Sequence, residues 1–94
     1  MESRQSFWIR NSENVPQVLC IEPWGSELSL QSGVDYLIIF EGPEGEWPAV
    51  ESRVGRVTIF GWSGSVAWVL RDGQMVLSCE TRVPEMPRLS ESGQ

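Results

Sequence analysis

The feature of this chain that most restricts its fold is punctuation. Short apolar or alternating runs return about every ten residues, each closed by Gly, Pro, Asn, Asp or Ser, and no stretch keeps a helical period. Ser6-Phe-Trp-Ile-Arg10 ends at Asn11-Ser-Glu-Asn14, and Gln17-Val-Leu-Cys-Ile-Glu22 ends at Pro23-Trp-Gly25. Glu27-Leu-Ser-Leu-Gln31 leads through Ser32-Gly33 into the longest run, Val34-Asp-Tyr-Leu-Ile-Ile-Phe-Glu41, and an acidic loop, Gly42-Pro-Glu-Gly-Glu46, follows. Ala49 to Val54, Arg56 to Trp62, Ser65 to Arg71 and Gln74 to Cys79 complete the set. Asp72-Gly73 between the last two is a strong hairpin signal, since a type I′ turn needs positive φ at both central residues.

Seven or eight short strands with hairpin-length connections predict an all-β fold. The expected architecture is a small antiparallel β-sandwich or partly closed barrel with meander-like hairpins, because parallel pairing needs long crossovers. With 94 residues the chain has room for one domain, expected over residues 1–80. From Thr81 the pattern is lost, and Pro84, Pro87 and Ser90-Glu-Ser-Gly-Gln94 predict an extended or disordered tail over 81–94.

Alternation assigns side chains to faces. Phe7 and Ile9, then Val34, Tyr36, Ile38 and Phe40, then Val57 and Ile59 are expected to fill the core, with Val66, Trp68, Leu70, Met75, Leu77 and Cys79. The opposite sides are also apolar: Trp8, Leu37, Ile39, Phe60, Trp62, Ala67 and Val69. A domain this small cannot cover both faces of every strand, so part of this second set is expected to form an exposed patch. Trp8, Leu37, Ile39 and Phe60 are its candidate self-association residues, and a homodimer is the simplest use of such a patch. Alternatively, barrel ends, loops and the tail cover these residues.

Charge and composition remove whole classes of chemistry. The chain has no histidine and no lysine, and seven arginines stand against thirteen carboxylates for a net charge of −6. Ser-His-Asp and Cys-His catalysis, histidine metal sites, Schiff bases and a phosphate-loop lysine are excluded by residue type. The acidic balance argues against nucleic acid, whose phosphates need clustered cations, and against an anionic membrane surface. It suits a basic protein partner, of the kind that an acidic immunity or inhibitor protein binds. No apolar run reaches the ~18 residues of a membrane span, and Met1-Glu-Ser-Arg-Gln5 lacks the pattern of a secretory signal. A cytoplasmic location is therefore expected, and Cys20 and Cys79, both within apolar runs, are expected to be buried free thiols rather than a bridge. No metal and no cofactor is expected.

Two tryptophans stand in glycine-rich turns: Trp24 in Glu22-Pro-Trp-Gly-Ser-Glu27 and Trp62 in Gly61-Trp-Ser-Gly-Ser65. Such rings either fold back as lids over the open end of a small β structure or stand out as stacking platforms for a ligand or partner. Trp47, before Pro48, is a third residue of this kind. Glu22 and Glu27 flank Trp24, and paired carboxylates beside aromatics are found in glycosidase clefts; solvated turn carboxylates are the commoner case. Trp24, Trp62, Trp47, Glu22 and Glu27 are thus the candidate binding residues for a small ligand or carbohydrate, and no catalytic residue is assigned.

The runs Phe7-Trp-Ile9, Ile21-Glu-Pro-Trp-Gly25, Phe40-Glu-Gly-Pro-Glu-Gly45, Ile59-Phe-Gly-Trp62 with Gly64, and Arg71-Asp-Gly73 resemble a family of short bacterial hypothetical proteins with a Glu-Pro-Trp-Gly core motif. The resemblance spans most of the chain to about Cys79, and it implies no activity, cofactor or site. Ser32-Gly33 through Glu41-Gly42 is similar in rhythm to the cupin pattern, but the cupin histidines are absent. The sequence thus points to a non-enzymatic interaction module acting by contact.

Overall fold

The computed structural model describes residues 1–84, which form eight strands: β1 (Glu2–Arg10), β2 (Gln17–Glu22), β3 (Ser26–Leu30), β4 (Asp35–Pro43), β5 (Ala49–Arg53), β6 (Arg56–Phe60), β7 (Val66–Arg71) and β8 (Gln74–Cys79). They lie in two four-stranded sheets, ordered β1-β4-β7-β8 and β3-β2-β6-β5. The all-β architecture is the one the punctuation predicts, with two sheets that fit a sandwich or partly closed barrel, and no described residue lies in a helix.

Pairing departs from the expected antiparallel meander in two ways: β1 pairs with β4 and β4 with β7, antiparallel but not neighbours in the sequence, and one strand pair runs parallel. Tight hairpins join β2 to β3, β5 to β6 and β7 to β8, but β2 and β6 run parallel, with Leu19 opposite Val57 and Ile21 opposite Ile59. The long crossover that parallel pairing needs is supplied by β3, β4 and β5, one of which belongs to the other sheet.

The core lies between the sheets. Tyr36, Ile38 and Phe40 from β4, with Ala67 and Val69 from β7, face Leu19, Ile21, Leu30 and Ile59. All nine are essentially without solvent contact, and Phe7, Ile9, Leu28, Val57 and Leu77 pack at the margins. Burying each large side chain stabilises the fold by about 1.5–3 kcal/mol.

Strand β7 is turned over relative to expectation. Ala67 and Val69 point inward, while Trp68 and Leu70 are only half-buried on the outside. The reason is register: β4 sets Phe40 opposite Ala67 and Ile38 opposite Val69, so the small side chain faces the large ring. Met75, expected in the core, is outside as well, because a bulge between Val69 and Leu70 pairs Leu70 with Met75.

One polar side chain is fully buried at the lower margin. Asn11 donates from Nδ2 to the carbonyls of Val15 (2.8 Å) and Leu30 (2.9 Å), and its Oδ1 accepts from the Glu13 amide (2.9 Å). A buried amide with these partners fastens the end of β1 to the end of β3. The expected tail begins with a docked segment: Val83 is buried, and its backbone exchanges hydrogen bonds with Gly64 and Ser65. The remainder of that expectation, from residue 85, lies outside the described residues.

Candidate interaction surfaces

Three groups of residues singled out by sequence occupy three different places. The first is the end of the sandwich where the tryptophan turns converge. Trp62 is buried, its ring centroid 5.8 Å from that of Phe40 at an interplanar angle of 28°, and its indole Nε1 donates to the Pro43 carbonyl at 2.9 Å. Trp24 leans on the same phenyl ring at 6.4 Å and donates from Nε1 to the Thr81 carbonyl at 2.6 Å. Both rings are therefore lids over Phe40, with their one polar atom satisfied by backbone.

The turns are built to let these lids close. A Cβ on Gly61 would stand 2.8 Å from the Trp24 ring and 2.7 Å from Ser65 Oγ, and one on Gly42 would stand 2.8 Å from the Ser65 backbone. Ser65 itself is buried; its hydroxyl accepts from the Trp62 amide and donates to the Trp62 carbonyl, closing the turn.

Trp47 is different. It stands 72% exposed in the loop between β4 and β5, a loop tied to β1 by Gln5 Nε2 donating to the Glu46 carbonyl at 2.7 Å. Between Trp47, Ala49, Phe60, Pro23 and the edge of Trp62 lies an open cleft of about 390 Å³. Trp47 and Phe60 are thus the aromatic groups offered to solvent here, while Trp24 and Trp62 serve as walls and lids.

The second place is the outer face of the β3-β2-β6-β5 sheet, where the candidate carboxylates lie. Cys20 sits in the middle of this face opposite Glu27, with Thr58 beside it on β6. Its thiol donates to Glu22 Oε1 at 3.2 Å, and Arg56 reaches Glu27 Oε2 at 2.8 Å beside it. Burial, reinforced by Glu22, pushes the Cys20 thiol above its ordinary range, with Arg56 opposing. A raised thiol is a poor nucleophile at neutral pH. The two carboxylates are engaged separately, Glu27 by a guanidinium and Glu22 by a thiol. Cys79, also free and buried, lies on the inward side of β8, and burial raises its thiol too.

The third place is the outer face of the β1-β4-β7-β8 sheet. Trp8, Leu37, Leu70 and Met75 form one cross-strand row, and Ile39 and Trp68 stand side by side in the next. Trp8 is 68% exposed, and Met75 and Val76 are exposed at the far edge. Arg10 grips Asp35 through two hydrogen bonds of 2.6 and 3.0 Å below these rows, and Arg4 pairs with Glu41 at 2.8 Å above them. Arg10 thereby holds the Asp35 carboxyl below the usual carboxylate range. Beside Trp8 is a cleft of about 400 Å³ lined by Val34, Asp35, Arg71 and Asp72.

Phe60 does not belong to this face. It projects from β6 of the other sheet, beside the Trp47 cleft, so Trp8, Leu37 and Ile39 form one surface and Phe60 another. Trp68, Leu70 and Met75 are the members that sequence reading assigned to the core. Their signal is present in the sequence, as apolar residues on a strand whose neighbouring positions are equally apolar, but alternation gives no way to choose between the two sets.

Compared with known proteins, the chain matches no family model, no curated protein and no solved structure.

Proposed function

We propose that this protein is a non-enzymatic contact module whose working surface is the outer face of the β1-β4-β7-β8 sheet, and that a second copy of the chain is what meets it. The observation that carries this reading is a protruding Trp8 on an apolar face, with a cleft of about 400 Å³ beside it that Val34, Asp35, Arg71 and Asp72 also line. A two-fold contact needs a self-complementary patch, and an exposed ring next to an open cleft lets each copy's Trp8 pack at the cleft of the other.

The rim supports the same partner. Arg10–Asp35 and Arg4–Glu41 leave both ends of the face neutral but bearing both signs, in a chain of net charge −6. A basic partner would be drawn to the acidic remainder of the surface instead. Two nine-residue and two six-residue strands at about 4.8 Å spacing give the face a projected area of roughly 500 Å². That is below the ~800 Å² per partner of a standard interface, so a reversible dimer is the expected strength.

The test is sedimentation velocity on the wild type and on Trp8→Glu. The wild-type assembly is expected to shrink in the variant, and to strengthen at moderate salt as the like net charges are screened. An unchanged mass overturns the reading, and so does salt-sensitive binding to a basic protein through this face.

The Trp47 cleft favours a second reading, a small-ligand site using Trp47 and Phe60. A carbohydrate panel should then quench tryptophan fluorescence in the wild type and not in Trp47→Ala; a flat response from both removes this reading.

A further inference from the structure

Strand β5 is, among the described strands, the one in which every residue is exposed. It is also a sheet edge, hydrogen-bonded to β6 on one side and, among the described residues, to no strand on the other. Edges of this kind are normally shortened, covered or charged with one sign, because unpaired N–H and C=O groups invite another strand. Here the charges are of both signs, Glu51 and Arg53, and they lie two residues apart on one face.

The register with β6 settles which backbone groups are free. Arg53 pairs with Arg56 across the two-residue turn Val54-Gly55, where Gly55 has the positive φ of +75° that the turn demands. A two-residue hairpin closes on a hydrogen-bonded pair, and bonding then alternates along the ladder. Arg53 and Glu51 therefore bond to β6, while Ser52 and Val50 direct their N–H and C=O groups to the open side.

We infer that β5 is a second self-contact: two copies join edge to edge, antiparallel, about a two-fold axis at Ser52, making one continuous eight-stranded sheet. In this register Ser52 exchanges both backbone bonds with Ser52 of the second copy. Glu51 falls directly opposite Arg53 of the second copy, and Arg53 opposite its Glu51. Val50, 59% exposed, approaches the turn carrying the fully exposed Val54. Each chain thus presents the charge sequence its own copy needs.

Within the chain Arg53 lies opposite Arg56, and each already has a carboxylate, Glu51 at 3.2 Å and Glu27 at 2.8 Å. The contact gives Arg53 a second carboxylate, directly across the new strand pair. A shift of one residue in register places Glu51 against Ser52 and loses both pairs. The edge and the apolar face are separate surfaces, so this inference does not rest on the face contact; with both, the wild type assembles beyond a dimer.

The test is made in the Trp8→Glu chain, where the face contact is removed. That chain is expected to sediment as a concentration-dependent dimer, with amide exchange at Val50 and Ser52 slowing as concentration rises. Adding Arg53→Glu sets carboxylate against carboxylate and should weaken the dimer at least about tenfold, since two cross-strand pairs change sign. The charge swap Glu51→Arg with Arg53→Glu should restore it. Arg53 is a solvated side chain, 72% exposed, so neither change threatens folding. A Trp8→Glu chain that stays monomeric, with Val50 and Ser52 exchanging at one rate throughout, overturns the edge contact, as does a swap that fails to rescue. If instead Arg53→Glu alone makes a monomer with Trp8 intact, the face reading fails and the edge stands.

Discussion

The outer face of β1, β4, β7 and β8 carries Trp8, Leu37, Ile39 and Trp68, whereas the outer face of β3, β2, β6 and β5 carries Glu22, Glu27, Glu51, Arg53 and Arg56. Both belong to four-stranded sheets, both obey the same alternation, and both back onto the same core. On the charged face the polar groups answer one another: Arg56 holds Glu27, Glu22 receives the Cys20 thiol, and the thiol beneath them is shielded. On the apolar face the polar groups answer one another only at the rim, and among the described residues nothing covers the rows between them. Alternation separates inside from outside; the residues at the outward positions decide whether the outside is finished or waiting for something.

The comparison breaks most severely on β7, where inward and outward positions adjoin. Val69→Asp places a carboxylate in the buried core between Ile38 and Leu77, and is expected to cost more than about 4 kcal/mol, enough to abolish the cooperative melt. Its neighbour Trp68→Thr should leave the urea midpoint nearly unchanged and reduce self-association. Equal losses from the two would mean that the outer rows are part of the core after all.

Next in size is the lid end. Phe40→Ala removes the ring on which Trp24 and Trp62 both rest, and about 3–5 kcal/mol is expected from denaturant unfolding. Tryptophan emission should shift to the red in this variant, whereas Trp47→Ala, which removes a ring already in water, should shift the mean emission to the blue.

A smaller effect sharpens the description of the charged face. Arg56→Ala should leave the melting temperature close to wild type and slow modification of Cys20 by a thiol reagent, because the guanidinium that opposes the upward push on the thiol is gone. Faster modification in the variant would show instead that the Arg56 side chain acts mainly as a cover over the thiol.

The smallest effect is the alkaline limb of stability. Burial raises both thiols, so their protonated forms belong to the folded state. That contribution is complete below the ordinary thiol pKa and is lost as pH rises through the folded values. The melting temperature should therefore decline from about pH 8.5 upward, and the Cys20→Ala/Cys79→Ala chain should decline less between the same two pH values.

What the sequence disclosed depended on contrast between neighbouring positions. In β4 the positions from Tyr36 to Phe40 are all apolar, but Asp35 and Glu41 mark the parity of Leu37 and Ile39 as outward, and the structure keeps that division from Tyr36, Ile38 and Phe40. In Val66-Ala-Trp-Val-Leu70 every position is apolar, so the choice passed to the register with β4, which no local pattern encodes. The parallel pairing of β2 with β6 is non-local in the same sense. Asn11 reads as a turn residue until the carbonyls of Val15 and Leu30 are brought to it. The tryptophan turns announced two alternatives, and only the arrival of Phe40 beneath them decided for lids. Of the contact surfaces, Trp8, Leu37 and Ile39 were visible early, whereas Trp68 and Leu70 needed the register with β4, Met75 needed the bulge, and the open side of β5 needed the sheet order.

Arg82 Nη1 lies 3.0 Å from Glu2 Oε1, so the first strand begins where the last described segment is anchored. The order in which the strands are strung together is therefore separable from the way they pack. A chain rejoined by a short linker between these two points, and opened instead at Val54-Gly55, would have every strand in its present place with new ends at the solvent-exposed hairpin. Such a permutant would carry its termini beside β5, where a fused domain could be used to block or report on that edge.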